Sequence, residues 1–266
     1  MGIKNAFCSL KCVIASTLNQ RPMKTIRKFL LLFLSVCLWE GAIAQSFFAR
    51  FSPHSGQLEE VVVWQPGMVF GLSGQGQLEY IVLDQEVDQP EEVRNMITTC
   101  TYLNKSVTYE GDLRIYHPFS GYLEYHNRGE ESHQSGKLSI LGGTQLTYFD
   151  FLKDSPRNGL LASIGKCKIN YFDLDAPSHK TGKVSSIGAF TFDYYDQSVE
   201  NHKNGTFSRI GSVEVETYDF DYSSPKNGKL ARMGQCEFDY FDFDFDSTQN
   251  GKFFEMKGED KRFMLL

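Results

Sequence analysis

The sequence predicts an all-β protein whose second half is a tandem array of 23-residue repeats, stacked as an extended antiparallel β-hairpin meander, with a β-solenoid as the alternative. Three observations carry this. Gly136, Gly159, Gly182, Gly205, Gly228 and Gly251 stand 23 residues apart with no insertion, and a fixed period of this size marks a repeat architecture. Inside each repeat, apolar and polar residues alternate with the period of two of a strand with one buried face, as in Cys236, Phe238 and Tyr240 against Glu237 and Asp239. The repeats close on Asn158-Gly159, Asn204-Gly205, Asn227-Gly228 and Asn250-Gly251, a dipeptide suited to a type I′ turn with φ > 0 at both positions.

From the amino terminus, residues 1–22 precede a complete export signal and fit a start codon assigned too early, with Met23 as the start. Residues 23–44 read as a signal peptide. Lys24, Arg27 and Lys28 are its basic region, Phe29 to Trp39 its apolar stretch, and Ala42-Ile43-Ala44 its small-x-small cleavage pattern. Cleavage between Ala44 and Gln45 is expected, with lipidation at Cys37 or a retained anchor as the competing readings. The chain is therefore expected to be secreted, periplasmic or at the cell surface, with no transmembrane segment after cleavage. The first 44 residues hold six of the 27 basic residues and one of the 33 acidic ones, which leaves a net charge of −11. Such a surface disfavours nucleic acid and anionic membranes as partners.

Residues 45–135 form an irregular, β-rich region or cap. Val61-Val62-Val63-Trp64 and Tyr80-Ile81-Val82-Leu83 are apolar β-type runs, and Gln89-Pro90-Glu91-Glu92 is the start of the one reasonable helix. Gly56-Gln57-Leu58, Gly76-Gln77-Leu78 and Gly121-Tyr122-Leu123 echo the Gly-Lys-Leu of the repeats.

Residues 136–257 are the repeat array, numbered here one to six from the glycines, and 258–266 are a short tail. The third column reads Leu138, Leu161, Val184, Phe207, Leu230 and Phe253. The sixth reads Leu141, Ile164, Ile187, Ile210, Met233 and Met256. A second glycine follows in all but the last repeat. The text then runs to Tyr148-Phe149-Asp150 and its equivalents, Thr217-Tyr218-Asp219 being the one without a leading tyrosine. At the aromatic pair the phase of alternation flips, which implies a bulge, a bend or packing on both faces. The aspartate column favours the meander: a solenoid would stack like charges ~4.8 Å apart, a meander ~9.6 Å.

The Gly-Lys-Leu-x-x-Ile-Gly text followed by Phe-x-Tyr-Phe-Asp resembles exported bacterial repeat proteins of no assigned function. It is also weakly similar to the tyrosine-aspartate (YD) repeats of wall-associated and toxin-encasing bacterial proteins. Here Tyr218-Asp219 precedes Gly228-Lys229-Leu230 by eight residues, a longer gap than in that family. The resemblance spans residues 136–257 and implies an envelope or surface setting.

No nucleophile-base-acid pattern or Gly-x-Ser-x-Gly elbow is present. His126, Glu130, Glu131 and His133 lie around a turn-like Asn127-Arg128-Gly129 and read as a solvated loop rather than a zinc site. The pairs Asp173/Asp175, Asp219/Asp221 and Asp242/Asp244 are candidates for Ca²⁺ through oxygen ligands, against solvent-facing charges that guard the sheet. No other cofactor is expected. Arg157, Lys180, Lys203 and Lys226 stand just before the turns, as a basic row for an anionic polymer or as turn residues. The aromatic columns suit sugar stacking or cross-strand packing. Cys167 and Cys236 share one column three repeats apart. That separates them by ~14–29 Å depending on the stacking, beyond the ~7 Å a disulfide spans, so they serve as small apolar fillers. The expected function is a non-enzymatic exported binding or envelope-associated module whose partner is a glycan or another envelope component. The alternative is an enzyme with its site in residues 45–135.

Overall fold

The computed structural model describes residues 47–87, 89–118, 122–127, 132–151, 153–197, 201–220, 224–242 and 248–265. The leader with Ala44 and Gln45, and Gly121, Glu130, Glu131, Asp221 and Asp244, lie outside them. Residues 45–266 form one compact unit.

The amino-terminal region builds its own sheet. β1 (Phe47–Ser52), β2 (Gln57–Gln65), β3 (Met68–Ser73) and β4 (Leu78–Leu83) are followed by helix α1 (Pro90–Thr98), a 3₁₀ turn (Thr101–Asn104), β5 (Ser106–Glu110) and β6 (Leu113–His117). The strand order is β19-β1-β2-β3-β4-β6-β5, where β19 (Phe263–Leu265) is the chain's last strand. β1–β19 and β4–β6 are parallel and the other pairs antiparallel. Val61, Val62 and Val63 are all buried, because this sheet is covered on both faces; a strand buried on both faces reads as a continuous apolar run. On one face α1 packs Val93, Met96 and Ile97 against Phe48, Val62, Val69 and Val82. Gln89 caps α1 in a reciprocal capping box with Glu92, and Pro90 occupies its first turn.

The other face packs on the repeats. β7 (Leu123–Tyr125) opens a twelve-stranded sheet that runs in chain order to β18 (Phe253–Lys257). Each of the first five repeats gives a four-residue and a five-residue strand: β8 (Leu138–Leu141) and β9 (Thr144–Tyr148), β10 (Leu161–Ile164) and β11 (Cys167–Tyr171), β12 (Val184–Ile187) and β13 (Phe190–Tyr194), β14 (Phe207–Ile210) and β15 (Val213–Thr217), β16 (Leu230–Met233) and β17 (Cys236–Tyr240). All neighbours are antiparallel. This is the all-β meander, not a solenoid. The repeat core of Leu138, Ile164, Phe192, Ile210 and Phe238 joins Phe47, Phe51, Val63, Phe70 and Ile81 of the first sheet. The array therefore serves as one half of a sandwich rather than a free-standing solenoid.

Leu161 and Ile164 are three apart yet both face the core. A bulge reconciles them: Leu161 pairs with Tyr148 and Ser163 with Thr147, leaving Ala162 extra. The same shift leaves Ser185, Ser208, Ala231 and Phe254 extra in later repeats. The bulge thus sits in the short strand, on a small residue except at the end. The phase flip of the aromatic pair coincides with the chain leaving the long strand.

The turn chemistry differs from the expectation. Gly136, Gly159, Gly182, Gly205, Gly228 and Gly251 all have φ between 76 and 80°. The residues before them, asparagine in four of the six, do not: among described non-glycine residues only Cys100 has positive φ. Asn-Gly is therefore no type I′ turn. The tight two-residue hairpin is at the second glycine, where Ile164 pairs with Cys167 across Gly165-Lys166. Gly165, Gly188, Gly211 and Gly234 have φ of 56–59°, and positive φ at the first central position alone belongs to a type II′ turn. Asn-Gly instead ends a longer loop, and the asparagine is there for its amide. The Oδ1 of Asn158, Asn204 and Asn227 accepts the backbone N–H of Phe151, Gln197 and Phe220, each at 2.8 Å. Asn227→Ala is expected to cost about 1 kcal/mol through this bond. Gly228→Val should cost about 1–3 kcal/mol from φ alone, since nothing but His202 comes within 4 Å of its Cβ position. Urea titration checks both; unchanged midpoints would refute the loop clamp and the left-handed strain respectively.

Candidate binding surface and inter-sheet cavity

The solvent face of the twelve-stranded sheet carries polar side chains in register. Cross-strand partners there are Thr147/Ser163, Asn170/Ser186, Asp193/Arg209, Glu216/Arg232 and Asp239/Glu255. The first two pairs are neutral and hydrogen-bonded, Thr147 to Ser163 at 2.6 Å and Asn170 to Ser186 at 2.8 Å. The next two are charged: Arg209 lies 3.8 Å from Asp193, and Arg232 bonds Glu216. An open groove of about 330 Å³ crosses the third and fourth repeats, lined by Asp193, Tyr195, Ser208, Arg209, Glu214, Val215 and Glu216. The Arg232 hydrogen bond holds the Glu216 carboxyl below its usual range. Burial, then the charges of Glu216 and Glu214, push the Tyr195 phenol up.

The basic row is engaged within the protein. Arg157, Lys180, Lys203 and Lys226 lie over the rings of Phe149, Phe172, Tyr195 and Tyr218 at 5.2–5.8 Å. Arg157 also pairs with Asp173, Lys180 with Asp193 at 2.7 Å and Lys226 with Asp239 at 2.8 Å. Each cation thus ties a turn to an aromatic ring. The second aromatic of each pair is half-buried, with one face beneath that cation. Phe151 and Phe220, exposed at the loop rim, stack on Phe149 and Tyr218 with centroids 5.6 Å apart.

The aspartates do not converge on a point. Asp150 accepts from Ser132 Oγ at 2.7 Å and the His133 N–H at 3.1 Å. Asp173 accepts from Ser155 Oγ at 2.9 Å and the Leu174 N–H at 2.8 Å. The N–H groups of His179 and His202 donate to Asp196 at 2.9 Å and Asp219 at 3.4 Å. Ser224 Oγ lies 3.4 Å from Asp242. The column therefore fastens each loop to the next repeat, and its bonds hold the Asp150 and Asp173 carboxyls below their usual range, led by Ser132 and the Leu174 N–H respectively. Among the described residues no three His, Cys, Asp or Glu side chains are grouped as metal ligands. Asp173, Asp219 and Asp242 stand in separate repeats, Asp175 is exposed beside Asp173, and His126 and His133 form no such group.

The two sheets are fastened where three hairpins of the first meet alternate repeats of the second. The Lys229 ammonium donates to the Ser55 carbonyl at 2.7 Å, Lys183 to Gln75 O at 2.6 Å, and Lys137 reaches Glu110 at 3.3 Å. The backbone N–H groups of Leu230, Val184 and Leu138 donate to Gly56 O at 2.8 Å, Gly76 O at 3.0 Å and Glu110 Oε2 at 2.9 Å. Tyr240 and Tyr194 complete two of the clasps. Tyr240 Oη donates toward Gly56 O at 3.1 Å and Leu230 O at 3.0 Å, and Tyr194 Oη toward Val184 O at 2.8 Å. The second and fourth repeats fall between hairpins and carry Leu160 and Thr206 where the first, third and fifth carry lysine. This two-repeat spacing was present in the sequence as Lys137, Lys183 and Lys229, hidden beneath the stronger one-repeat period.

At the fourth repeat a half-open cavity of about 160 Å³ lies between the sheets. Phe207, Val215, Thr217 and Leu230, all buried, form its floor, while Gln57, Gln75, His202, Asn204 and Thr206 form its polar mouth. No family model, curated protein or solved structure matches this chain. Its chemistry is therefore argued from its own geometry. Cys167 and Cys236 are free and buried, and burial pushes the Cys167 thiol up to about 11, which suits a filler and not a nucleophile. No helix among the described residues is long and apolar enough to cross a membrane.

Proposed function

We propose that this chain is an exported, non-enzymatic binding module, and that the solvent face of its twelve-stranded sheet takes an extended, repeated partner, a glycan of the cell envelope. The observation that carries this reading is the row of in-register polar pairs from Thr147/Ser163 to Glu216/Arg232. A polar pair recurs at the same position once per repeat, about 9.6 Å apart for two strand spacings. Catalysis instead needs groups converging on one reacting atom. A polymer of hydroxylated units matches such a row, each unit held weakly and the whole more tightly by avidity. The neutral pairs Asn170/Ser186 and Thr147/Ser163 offer donors and acceptors to hydroxyls. Tyr195, in the groove, offers its edge, since Lys203 stands over its face.

A glycan array probed with the purified protein tests this. Binding that strengthens with oligomer length is expected, and Asn170→Ala with Ser186→Ala should weaken it several-fold without lowering the melting temperature. Release of reducing sugar ends on incubation would mean an enzyme, and absence of binding across the array would exclude the glycan. Export is tested on the same preparation: amino-terminal sequencing should begin at Gln45, and a chain retaining Met1 or beginning at a lipidated Cys37 would refute cleavage after Ala44.

A further inference from the structure

We infer that the cavity at the fourth repeat is a binding site for a phenol ring, independent of the outer sheet face. The argument rests on the protein's own repeats. The thirteenth column is Tyr148, Tyr171, Tyr194, Thr217 and Tyr240. Every tyrosine in it is buried between the sheets. Only the fourth repeat replaces the ring with a side chain lacking one, and the cavity lies against that residue.

The second repeat is the informative comparison. It too falls between two hairpins of the first sheet, and it has Leu160 rather than lysine at its second position. Yet it keeps Tyr171, buried to 7 % exposure. Falling between hairpins therefore does not require loss of the ring. The fourth repeat differs at two positions on the same opening. Thr217 leaves out the ring, and Thr206 leaves out the cation that lies over it in the odd repeats, where Lys183 sits 5.2 Å above Tyr194 and Lys229 5.4 Å above Tyr240. One substitution empties the space and the other unroofs it.

The neighbouring repeats also show which chemistry the space takes. In the third and fifth repeats the phenol hydroxyl donates to the carbonyl of the third-column residue, Val184 or Leu230, at 2.8 and 3.0 Å. Phe207 holds that place in the fourth repeat and lines the cavity. A flat ring on the apolar floor of Phe207, Val215 and Leu230, with its hydroxyl on the Phe207 carbonyl, reproduces the missing tyrosine. The volume, about 160 Å³, is below the ~300–1,000 Å³ of pockets for drug-sized ligands. It suits one ring and excludes a disaccharide. An apolar floor under a polar mouth is the usual anatomy of such a site.

The test is a titration of the purified protein with p-cresol, the tyrosine side-chain analogue, followed by amide NMR shifts. Saturable shifts at Thr206, Phe207 and Thr217 are expected, with a weaker response to toluene, which lacks the hydroxyl. Thr217→Tyr supplies the ring from within and should abolish the shifts. Should that variant fail to fold, Thr206→Lys restores the roof and should weaken binding at least several-fold. N-acetyl-tyrosinamide distinguishes the sources: binding of both probes means a tyrosyl side chain of a partner fits, and binding of p-cresol alone means a free phenol. No saturable shift with p-cresol, an equal response to toluene, or undiminished binding in folded Thr217→Tyr would overturn the proposal.

Discussion

Gly76→Ala should lower stability by about 3–5 kcal/mol, because two penalties coincide at one position. Gly76 has φ of +78°, where any Cβ is strained, and a Cβ there would lie 2.1 Å from the Tyr194 hydroxyl. Tyr194 is buried to 1 % exposure between the sheets, so it has little room to retreat. Displacing the hairpin would also pull the Gly76 carbonyl from the Val184 N–H, now at 3.0 Å. Gly111→Ala is the control: φ is +62° but nothing lies within 4 Å of its Cβ position, so only the backbone strain, about 1 kcal/mol, remains. Urea denaturation of both variants decides the matter. Equal losses would mean the hairpin does not rest on Tyr194.

Tyr240→Ala is expected to cost about 3–5 kcal/mol, the range for deleting a buried aromatic. Its ring packs against Phe253 and Tyr218 at 6.0 Å and lies beneath Lys229. Its hydroxyl faces the Gly56 and Leu230 carbonyls. Tyr240→Phe keeps the ring and should cost about 1 kcal/mol. Gly56 O retains its 2.8 Å bond from the Leu230 N–H, so that carbonyl is not stranded. Thr217→Ala, in the same column, should cost well under half as much as Tyr240→Ala, since no ring is lost. Thermal or urea unfolding of the three variants checks the order; a Thr217→Ala loss matching that of Tyr240→Ala would refute the clasp.

These clasps make the array a two-repeat device. A shift by one repeat would set Thr206 and Thr217 beneath the β3–β4 hairpin, where Lys183 and Tyr194 now stand. The repeats are therefore not interchangeable units of a linear stack, whose stability would be a sum of neighbour terms. Each is matched to its place on the opposite sheet.

Much of this fold was legible in the sequence because it is local. Strand alternation, the glycine grid and the helix start at Gln89-Pro90 each depend on residues within a few positions of one another, and backbone sterics act over that range. The role of Asn158, Asn204 and Asn227 is not legible locally because the partner of each is a backbone N–H seven residues upstream, while the Asn-Gly preference for tight turns concerns the dipeptide alone. The basic row read as a free surface because rings and carboxylates that meet it come from strands sixteen or thirteen residues on as well as from its own repeat.

By itself the sequence determined the repeat, its strands, the positive-φ glycines and the two apolar runs that would need cover. Only the tertiary structure decided that residues 47–117 form the facing sheet, that the lysines of the first, third and fifth repeats meet its hairpins, and that Thr217 opens a cavity where other repeats have a ring. The physical reason is separation along the chain. Lys229 meets Ser55 across 174 residues and Lys183 meets Gln75 across 108. No pattern within a single repeat encodes which hairpin will lie above it.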